Sequence, residues 1–278
     1  MTSIIENFVL DKKLNQQKRG VRKSHSQRIK EEEFTVCGWN ACLRVFERRP
    51  RDIRRVFFSK ERARGLRDVK KWCQSRRLPY RQLDNESLSK AAASVHHEGV
   101  AMVVRPLPTT SVRRLIKQGL SQTGTLVALD RVSNSHNMGA ILRSCAYFGV
   151  EGFLTARERE GPAITSPSMA RTAEGALEIV PIFECSDLPS ALRDLKARHV
   201  FVLGTDPQSD RSLYEVEVDF PCVVVLGNER DGLSPGVKRR CDALARIPGS
   251  EAMPSLNVSV AAGIILAELA RRKLKNGR

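Results

Sequence analysis

Short apolar runs alternate with amphipathic segments along the second half of the chain. The runs that predict buried strands span residues 125–129, 152–155, 179–183, 199–204, 222–226 and 245–247. Helical spacing of apolar residues predicts helices over 138–148, 168–176, 188–197, 234–241 and 257–274. Buried strands that alternate with helices are typical of a mostly parallel sheet covered by helices on both faces. We therefore predict an α/β fold.

Residues 34–106 show a shorter version of this alternation. The predicted strands are 34–37, 53–58, 79–83 and 99–104, and the predicted helices are 40–48, 59–76 and 84–93. This order predicts a small mixed sheet covered by helices. Two prolines then break the pattern between residues 106 and 110. We therefore divide the chain into a small α/β domain at 34–106, a linker at 107–120 and a second domain at 121–278.

Charge separates the two halves of the chain. Residues 1–120 hold 28 Lys and Arg against 12 Asp and Glu, whereas residues 121–278 hold 19 of each. A solvated basic face is one interpretation, and a module that binds a polyanion is the other. The arginine-rich stretch 44–81 favours nucleic acid. Residues 1–33 are polar and charged, which predicts a disordered basic arm that is either a solubilising tail or an RNA contact.

Composition disfavours several other classes of protein. The longest apolar run, 258–270, is too short for a membrane span and contains Glu268. The first ten residues lack the pattern of a secretory signal. The seven cysteines form no Cys-x-x-Cys pair, which indicates reduced thiols in a cytoplasmic protein rather than disulfides or structural zinc. His96 and His97 have no further ligand at metal spacing, so we predict no metal site.

The first candidate site follows the strand at 125–129. Polar residues lead from this strand into the helix predicted at 138–148, an arrangement in which α/β proteins place their chemistry. Gly139 and Arg143 are four residues apart and share one helical face. Because helical side chains lean toward the N-terminus, we expect Arg143 to reach over the bare Gly139 toward Asn137 and the loop.

The second candidate is the loop that follows the strand at 222–226. Gly227 and Gly232 have the spacing of a nucleotide P-loop, but the lysine that should follow is Leu233. Glu229 also lies inside the loop, where a carboxylate would repel phosphates. The loop therefore suits a ligand without phosphates. A plain turn would explain the glycines but not Glu229.

The third candidate precedes the last predicted helix. Ile247 and Pro248 are followed by Ser255, Leu256 and Asn257. Either Ser255 or Asn257 can cap the helix. Capping explains one polar residue here, but it does not explain Ser255, Asn257 and Ser259 together at the start of an otherwise apolar helix.

Together the three stretches resemble the three motifs of the SpoU (TrmH-like) branch of the SPOUT RNA methyltransferases. The matching residues are Asn137, Gly139 and Arg143 for the first motif, Gly227, Glu229 and Gly232 for the second, and Ile247-Pro248 with Ser255 to Ser259 for the third. The likeness covers residues 121–274. Residues 35–105 more weakly resemble the L30e-like substrate-binding domain of this family, through 38–41 and 97–100.

The resemblance implies a fold and an activity that spacing alone does not show. It implies a mostly parallel sheet with a trefoil knot, a homodimer, and methyl transfer from S-adenosylmethionine to a ribose 2′-hydroxyl of structured RNA, either rRNA or tRNA. The residues that it places at the cofactor are Leu226, Gly227, Ile247 and Leu256. It makes Arg143 the catalytic arginine, with Asn137, Glu229, Ser255 and Asn257 completing the site. Pro254 departs from the family, in which an acidic residue is common before the serine.

Two alternatives remain open at this point. The chain can be a non-catalytic RNA-binding or ribosome-assembly protein that keeps the fold, or an enzyme that methylates a base atom. A protein without turnover has no chemical need for Asn137, Arg143, Glu229, Ser255 and Asn257 together. Related knotted enzymes that methylate bases lack this Asn/Arg first motif. The proton acceptor also stays open among water, the RNA phosphate and Arg143.

Overall fold

The computed structural model describes residues 33–156, 166–250 and 252–276. Residues 34 onward belong to one compact unit. The predicted basic arm lies outside the described residues except for Glu33. None of the helices among the described residues combines the length and the apolar character that crossing a membrane requires.

The first described segment forms a four-stranded sheet with three helices. Its strands are β1 (Phe34–Cys37), β2 (Ile53–Phe58), β3 (Tyr80–Gln82) and β4 (Val100–Val104), and its helices are α1 (Trp39–Arg48), α2 (Arg67–Arg76) and α3 (Asn85–Ala92). The strand order is β1-β4-β2-β3, in which β2 and β3 are parallel and the other pairs are antiparallel. The predicted mixed sheet is therefore confirmed. The apolar β4 lies at its centre with all five residues buried.

The helix predicted to begin at Ser59 was placed too early, because α2 begins at Arg67. The intervening residues form turns that bring Gly65 under the ring of Trp39, where an added Cβ would lie 2.6 Å from a ring carbon. The Arg62 guanidinium lies 4.5 Å from the Trp39 ring centroid and donates to the carbonyl of Glu98 at 2.9 Å. These tertiary contacts override the local helix propensity of a charged segment.

The second segment forms a parallel sheet of seven described strands. They are β5 (Thr110–Ser111), β6 (Thr125–Asp130), β7 (Gly152–Ala156), β8 (Ile182–Cys185), β9 (Phe201–Thr205), β10 (Cys222–Gly227) and β11 (Ala243–Ala245), in the order β11-β9-β10-β6-β7-β8-β5. The accompanying helices are α4 (Val112–Gln118), α5 (Ser135–Tyr147), α6 (Pro167–Ala173), α7 (Leu188–Lys196), α8 (Pro235–Lys238) and α9 (Val258–Asn276). The predicted mostly parallel, helix-covered sheet is confirmed, whereas the knot stays a prediction.

Alternate residues of the central strands enter two different cores. In β6, Leu126 and Ala128 join one apolar cluster, whereas Val127 and Leu129 join the other. Because both faces of β6 are buried, its sequence is a continuous apolar run and does not alternate apolar with polar residues. The cluster that contains Val127 also contains Val36 of β1 and Val45 of α1. The small sheet therefore shares its main core with one face of the large sheet.

Several predicted boundaries moved by a few residues. The helix predicted at 168–176 ends at Ala173, because Glu174 and Gly175 both have left-handed backbone angles, with φ of 46° and 90°. The strands predicted at 179–183 and 245–247 lie instead at β8 and β11. Each difference follows from a local cap or turn that apolar spacing does not show.

The segment predicted as a linker adds to the large sheet. Thr110 and Ser111 pair with β8 at its edge, and the Ser111 side chain accepts from the backbone N–H of Arg113 at the start of α4. The domain boundary itself stays a prediction. The chain nevertheless enters the large sheet before residue 121.

A buried ion pair ties the small sheet to the large one. Arg49 follows α1, and Glu178 lies in the turn after α6. The Arg49 guanidinium donates from Nε at 2.6 Å and from Nη2 at 2.9 Å to the two carboxylate oxygens of Glu178. These side chains are 11% and 4% exposed. Both charges are nearly removed from water, so each depends on the other.

A second ionic cluster holds α9 against the preceding chain. Arg272 donates to the backbone carbonyls of Leu213 and Val216 and also to Glu268. Hydrogen bonds from Arg271 and Arg272 hold the pKa of the buried Glu268 carboxyl at about 2. The position of α9 is therefore fixed by charge as well as by its apolar face.

Candidate functional site

The three stretches singled out in the sequence leave the same edge of the large sheet. One follows β6, one follows β10 and one follows β11. β6 and β10 are parallel neighbours, and β11 lies two strands from β10. Carboxyl ends of parallel strands share one edge, which is where α/β sheets bind ligands.

The side chain of Asn137 joins all three stretches. Its Nδ2 donates to Oε1 of Glu229 at 2.7 Å. Its Oδ1 accepts from Nδ2 of Asn257 at 3.1 Å. An amide can do both because it carries a donor and an acceptor group. Residues separated by 92 and 120 positions in the chain thus meet at one side chain.

Asn137 is placed by a helix cap that was not predicted from the sequence. The Oδ1 atom of Asn134 accepts from the backbone N–H groups of His136 at 2.9 Å and Asn137 at 3.2 Å. Helix α5 therefore begins at Ser135, three residues before the predicted start. An asparagine just ahead of a helix is a recognised N-cap signal and could have located this start.

The prediction that Arg143 reaches toward Asn137 was wrong. Nη1 of Arg143 instead donates to Oε1 of Glu174 at 2.7 Å. The bare surface of Gly139 is covered by α6, because an added Cβ would lie 2.7 Å from the carbonyl of Met169 and 2.8 Å from Cβ of Thr172. Gly139 and Arg143 do share a face, but the end of α6 lies against it.

Glu174 also contacts the small sheet. Its second oxygen accepts from Nδ2 of Asn40 in α1 at 3.3 Å. The Arg143 and Glu174 side chains are 59% and 37% exposed, so solvent screens their pair. One carboxylate thus links Arg143 to the domain that precedes it. Glu174 lies 31 residues from Arg143 in the chain, and local spacing gives no signal for the contact.

The loop after β10 is a closed hairpin. The backbone groups of Asn228 and Gly232 exchange hydrogen bonds of 3.1 and 2.9 Å. A Cβ added to Gly227 would lie 2.4 Å from the carbonyl carbon of Gly232 and 2.6 Å from N of Leu233. Only glycine fits at 227, since the colliding atoms are backbone. The hairpin holds Glu229 beside Asn137.

A second arginine, Arg131, connects this hairpin to the first stretch through hydrogen bonds. Nη2 of Arg131 donates to the carbonyl of Gly232 at 3.2 Å. In return, Nδ2 of Asn228 donates to the carbonyl of Arg131 at 2.8 Å. Neither residue was predicted from the sequence as part of the site. These bonds fix the distance between the β6 and β10 loops.

The third stretch supplies a cap and exposed side chains. Oδ1 of Asn257 accepts from the backbone N–H of Ser259 at 2.9 Å, so Asn257 is the residue that caps α9. Ser255 and Leu256 are exposed, and Ile247 is half-buried against the core. Ser255 makes no side-chain hydrogen bond to another residue that the structure describes. Its predicted place in the site stays a prediction.

The candidate residues differ in the chemistry that they offer. Leu226 is buried at the end of β10, whereas Ile247 is half-buried and Leu256 is 50% exposed, so the last two can offer apolar surface to a ligand. Arg143 presents an exposed guanidinium, a group suited to phosphate oxygens. Among the described residues, no three metal-ligating side chains cluster together.

Comparisons with known proteins match both segments of the chain. The sequence profile of the SpoU rRNA Methylase family matches residues 124–267, and that of RNA 2′-O ribose methyltransferase substrate binding matches residues 35–110. YfiF of Escherichia coli, named an uncharacterized tRNA/rRNA methyltransferase, is 31% identical over 87% of this chain and 69% of its own. RlmB of Pseudomonas aeruginosa, a 23S rRNA (guanosine-2′-O-)-methyltransferase, is 33% identical over 71% of this chain and 79% of its own.

Solved structures share the fold. An AdoMet-bound rRNA methyltransferase from Sinorhizobium meliloti superposes with a TM-score of 0.75 and 23% identity over 90% of both chains. The SpoU methyltransferase AviRb from Streptomyces viridochromogenes, in complex with AdoMet, gives 0.74 with 23% identity over 94% of this chain and 98% of its own. At this identity the likeness concerns the fold.

Proposed function

The chain belongs to the SpoU rRNA methylase family, and we propose that it transfers a methyl group from S-adenosylmethionine to a ribose 2′-hydroxyl of RNA. Family membership rests on the match over residues 124–267. The observation that carries the proposal for this site is the Asn137 junction, which joins the three motif stretches through Glu229 and Asn257. Ribosomal RNA is the substrate that we favour, because RlmB of Pseudomonas aeruginosa and RlmB of Ralstonia nicotianae are named for 23S rRNA.

The cofactor side of the site is assigned to Leu226, Gly227, Ile247 and Leu256. S-adenosylmethionine supplies a methyl group that a sulfonium activates for transfer. The residues fit it, because the backbone N–H and C=O groups at the end of β10 and the apolar side chains suit a nucleoside without phosphates. The absence of a side chain at Gly227 leaves the hairpin closed against the strand end. Leu256 is 50% exposed and presents apolar surface to a ligand.

Arg143 is assigned to the RNA side of the site. A guanidinium supplies positive charge and several N–H donors, so this side chain holds the phosphate next to the reacting ribose and stabilises the alkoxide that forms. The proton then leaves to the phosphate or to water. Holding both reactants in line is itself worth about 7–11 kcal/mol in well-oriented reactions. Asn137 supports this geometry, since its bonds to Glu229 and Asn257 tie the first turn of the helix that carries Arg143 to the other two stretches.

Arg143 must exchange Glu174 for an RNA phosphate before it can act. We therefore expect Glu174→Gln to lower KM for RNA by up to about fivefold, because an exposed ion pair is worth about 1 kcal/mol or less. The turnover number should change by less than about twofold. Steady-state methyl transfer with varied RNA measures both constants.

The matched control for this variant is Glu86→Gln. Glu86 pairs with Lys90 at 2.7 Å on α3, and both side chains are more than 70% exposed. The Glu86→Gln substitution removes one negative charge, as Glu174→Gln does, but it removes no contact of Arg143. A KM that falls equally in both variants would assign the effect to net charge and contradict the role of Glu174.

A direct test of the proposed function uses the full chain and unmethylated ribosomal RNA. Calorimetric titration should show binding of S-adenosylmethionine, and nucleoside analysis of the RNA should show a 2′-O-methylated nucleoside. A methylated base would instead show that the protein is a base methyltransferase. Binding of S-adenosylmethionine or RNA without methyl transfer would show that it is a non-catalytic RNA-binding protein.

We also propose that the protein is a homodimer, as the family resemblance implies, and that it works in the cytoplasm, as its cysteine pattern indicates. Apolar side chains exposed on α5 and α9 support a dimer, namely Tyr147 at 84%, Val260 at 51% and Leu274 at 75%. Light scattering of the full chain should then give about twice its mass of 31.1 kDa.

A further inference from the structure

The far edge of the small sheet carries a basic pocket that the proposed active site does not use. Arg67, Lys70, Lys71 and Gln74 of α2 form one wall, and Phe58 and Tyr80 of the β2–β3 edge form another. The pocket has a volume of about 420 Å³. This volume falls within the ~300–1,000 Å³ of small-ligand sites.

The basic wall is one face of a helix. Positions 67, 70, 71 and 74 follow the spacing i, i+3, i+4 and i+7, which places them in a single stripe. The opposite face of α2 buries Val69 and Cys73 in the core. The pocket lining contains no carboxylate. Among the described residues, none forms an ion pair with these three cations.

An aromatic surface lies beside the cations. The rings of Tyr80 and Phe58 are nearly parallel, at 18°, with centroids 6.4 Å apart. Nε2 of Gln74 donates to the Tyr80 hydroxyl at 2.7 Å and fixes this ring. Phe58 is buried, whereas Tyr80 is half-buried and borders the pocket. Nζ of Lys70 lies 5.8 Å from the centroid of the Phe58 ring. Cations that form no ion pair with a described residue, beside an ordered ring, suit a ligand that has both a phosphate and a flat base.

The pocket is remote from the junction with the large sheet. The strand order is β1-β4-β2-β3, and β1 packs against α6 while β3 forms the opposite edge. Three interstrand spacings of about 4.8 Å separate these edges, or about 14 Å. A nucleotide held here is therefore separate from the one that would receive the methyl group.

We propose that this pocket binds one nucleotide of the RNA substrate as an anchor outside the reacting nucleotide. The phosphate lies among Arg67, Lys70 and Lys71, and the base lies against Tyr80. This inference rests on the proposed function only in taking RNA as the substrate. An acidic peptide would also pair with the cations, but it has no flat base to stack on the Tyr80 ring.

The charge part of the proposal is tested with the full chain and unmethylated ribosomal RNA. We expect Lys70→Gln with Lys71→Gln to weaken RNA binding at least about fivefold and to reduce the slope of log K against log salt by about 0.7–0.9 for each phosphate that is no longer neutralised. S-adenosylmethionine binding should not change. The control is Arg114→Gln with Lys117→Gln, two exposed cations on α4. Equal weakening in both double variants would overturn the pocket as a specific site.

The base part is tested at Tyr80. Tyr80→Leu should weaken RNA binding about tenfold without changing the salt slope, because stacking is not ionic. Tyr80→Phe keeps the ring and should bind RNA like the unaltered protein. If Tyr80→Leu and Tyr80→Phe bind RNA with equal affinity, the base does not stack on Tyr80. The pocket would then be a binding site for anions in general, including an acidic peptide.

A third measurement needs no variant. Photocrosslinking of the unaltered protein to 4-thiouridine-labelled ribosomal RNA should attach nucleotides within residues 67–82. Crosslinks that avoid this segment would overturn the pocket even if methyl transfer is normal. Failure of methyl transfer by the unaltered protein would instead count against the proposed function, so the two failures are distinguishable.

Discussion

Arg143→Ala is expected to abolish measurable methyl transfer and to leave S-adenosylmethionine binding intact. Arg143 is the exposed guanidinium on the RNA side of α5, and the assigned cofactor residues lie on other elements. Removal of one preorganised donor to a developing oxyanion typically costs about 10²–10³-fold in rate. Weaker phosphate binding adds to this, so the total effect should exceed that range.

Single-turnover methyl transfer and calorimetry with S-adenosylmethionine measure the two quantities separately. Arg143→Lys is the matched control, because it keeps the charge but removes the planar fork that binds two oxygens. It should fall between the unaltered protein and the alanine variant. Normal turnover in Arg143→Ala would remove Arg143 from the mechanism.

The largest expected effect on stability comes from Arg49→Ala. This substitution removes the guanidinium partner of the Glu178 carboxylate, whose side chain is 4% exposed in the unaltered protein. Breaking a buried pair in this way costs about 3–5 kcal/mol, because one charge remains out of water. Chemical denaturation followed by circular dichroism measures the change in the free energy of unfolding.

Two further variants separate this effect from simple truncation. Arg49→Ala combined with Glu178→Ala should be more stable than Arg49→Ala alone, since no buried charge is left. Arg44→Ala breaks a pair with Glu47 in which both side chains are about half exposed, and should cost less than about 1 kcal/mol. If Arg49→Ala is no worse than Arg44→Ala, the ion pair does not hold the two sheets together.

The buried pair also affects how RNA binding should be dissected. A fragment that starts at residue 121 would lack Arg49 and the edge strand β5. Its Glu178 would lie near the surface left by the missing domain. Point variants in the full chain are therefore the sounder way to assign RNA affinity to the small sheet.

The sequence predicts the architecture well because apolar runs and helical spacing recur along the second half of the chain. The apolar runs at 126–129 and 222–226 are strands whose alternate residues enter two cores, and the helices between the strands have clear spacing. The helix predicted from residue 59 was misplaced for a physical reason, since the packing of Gly65 on Trp39 lies outside local propensity. Contacts between distant segments decide such turns.

The site was predictable in part. The resemblance brings together Asn137, Glu229 and Asn257, and the structure joins these three through one amide. It does not predict where Arg143 points, because that depends on the fit of α6 against Gly139. The contact with Glu174 depends on a left-handed turn at the end of α6, which spacing does not reveal.

The shared core between the two sheets has a consequence for substrate choice. Val36 and Val45 pack in the same cluster as Val127, and the Arg49–Glu178 pair closes the junction. The basic pocket and the site edge of the large sheet therefore keep a constant separation. With one nucleotide bound at each site, as proposed, this constant separation would select RNA by the distance between two nucleotides in its folded shape.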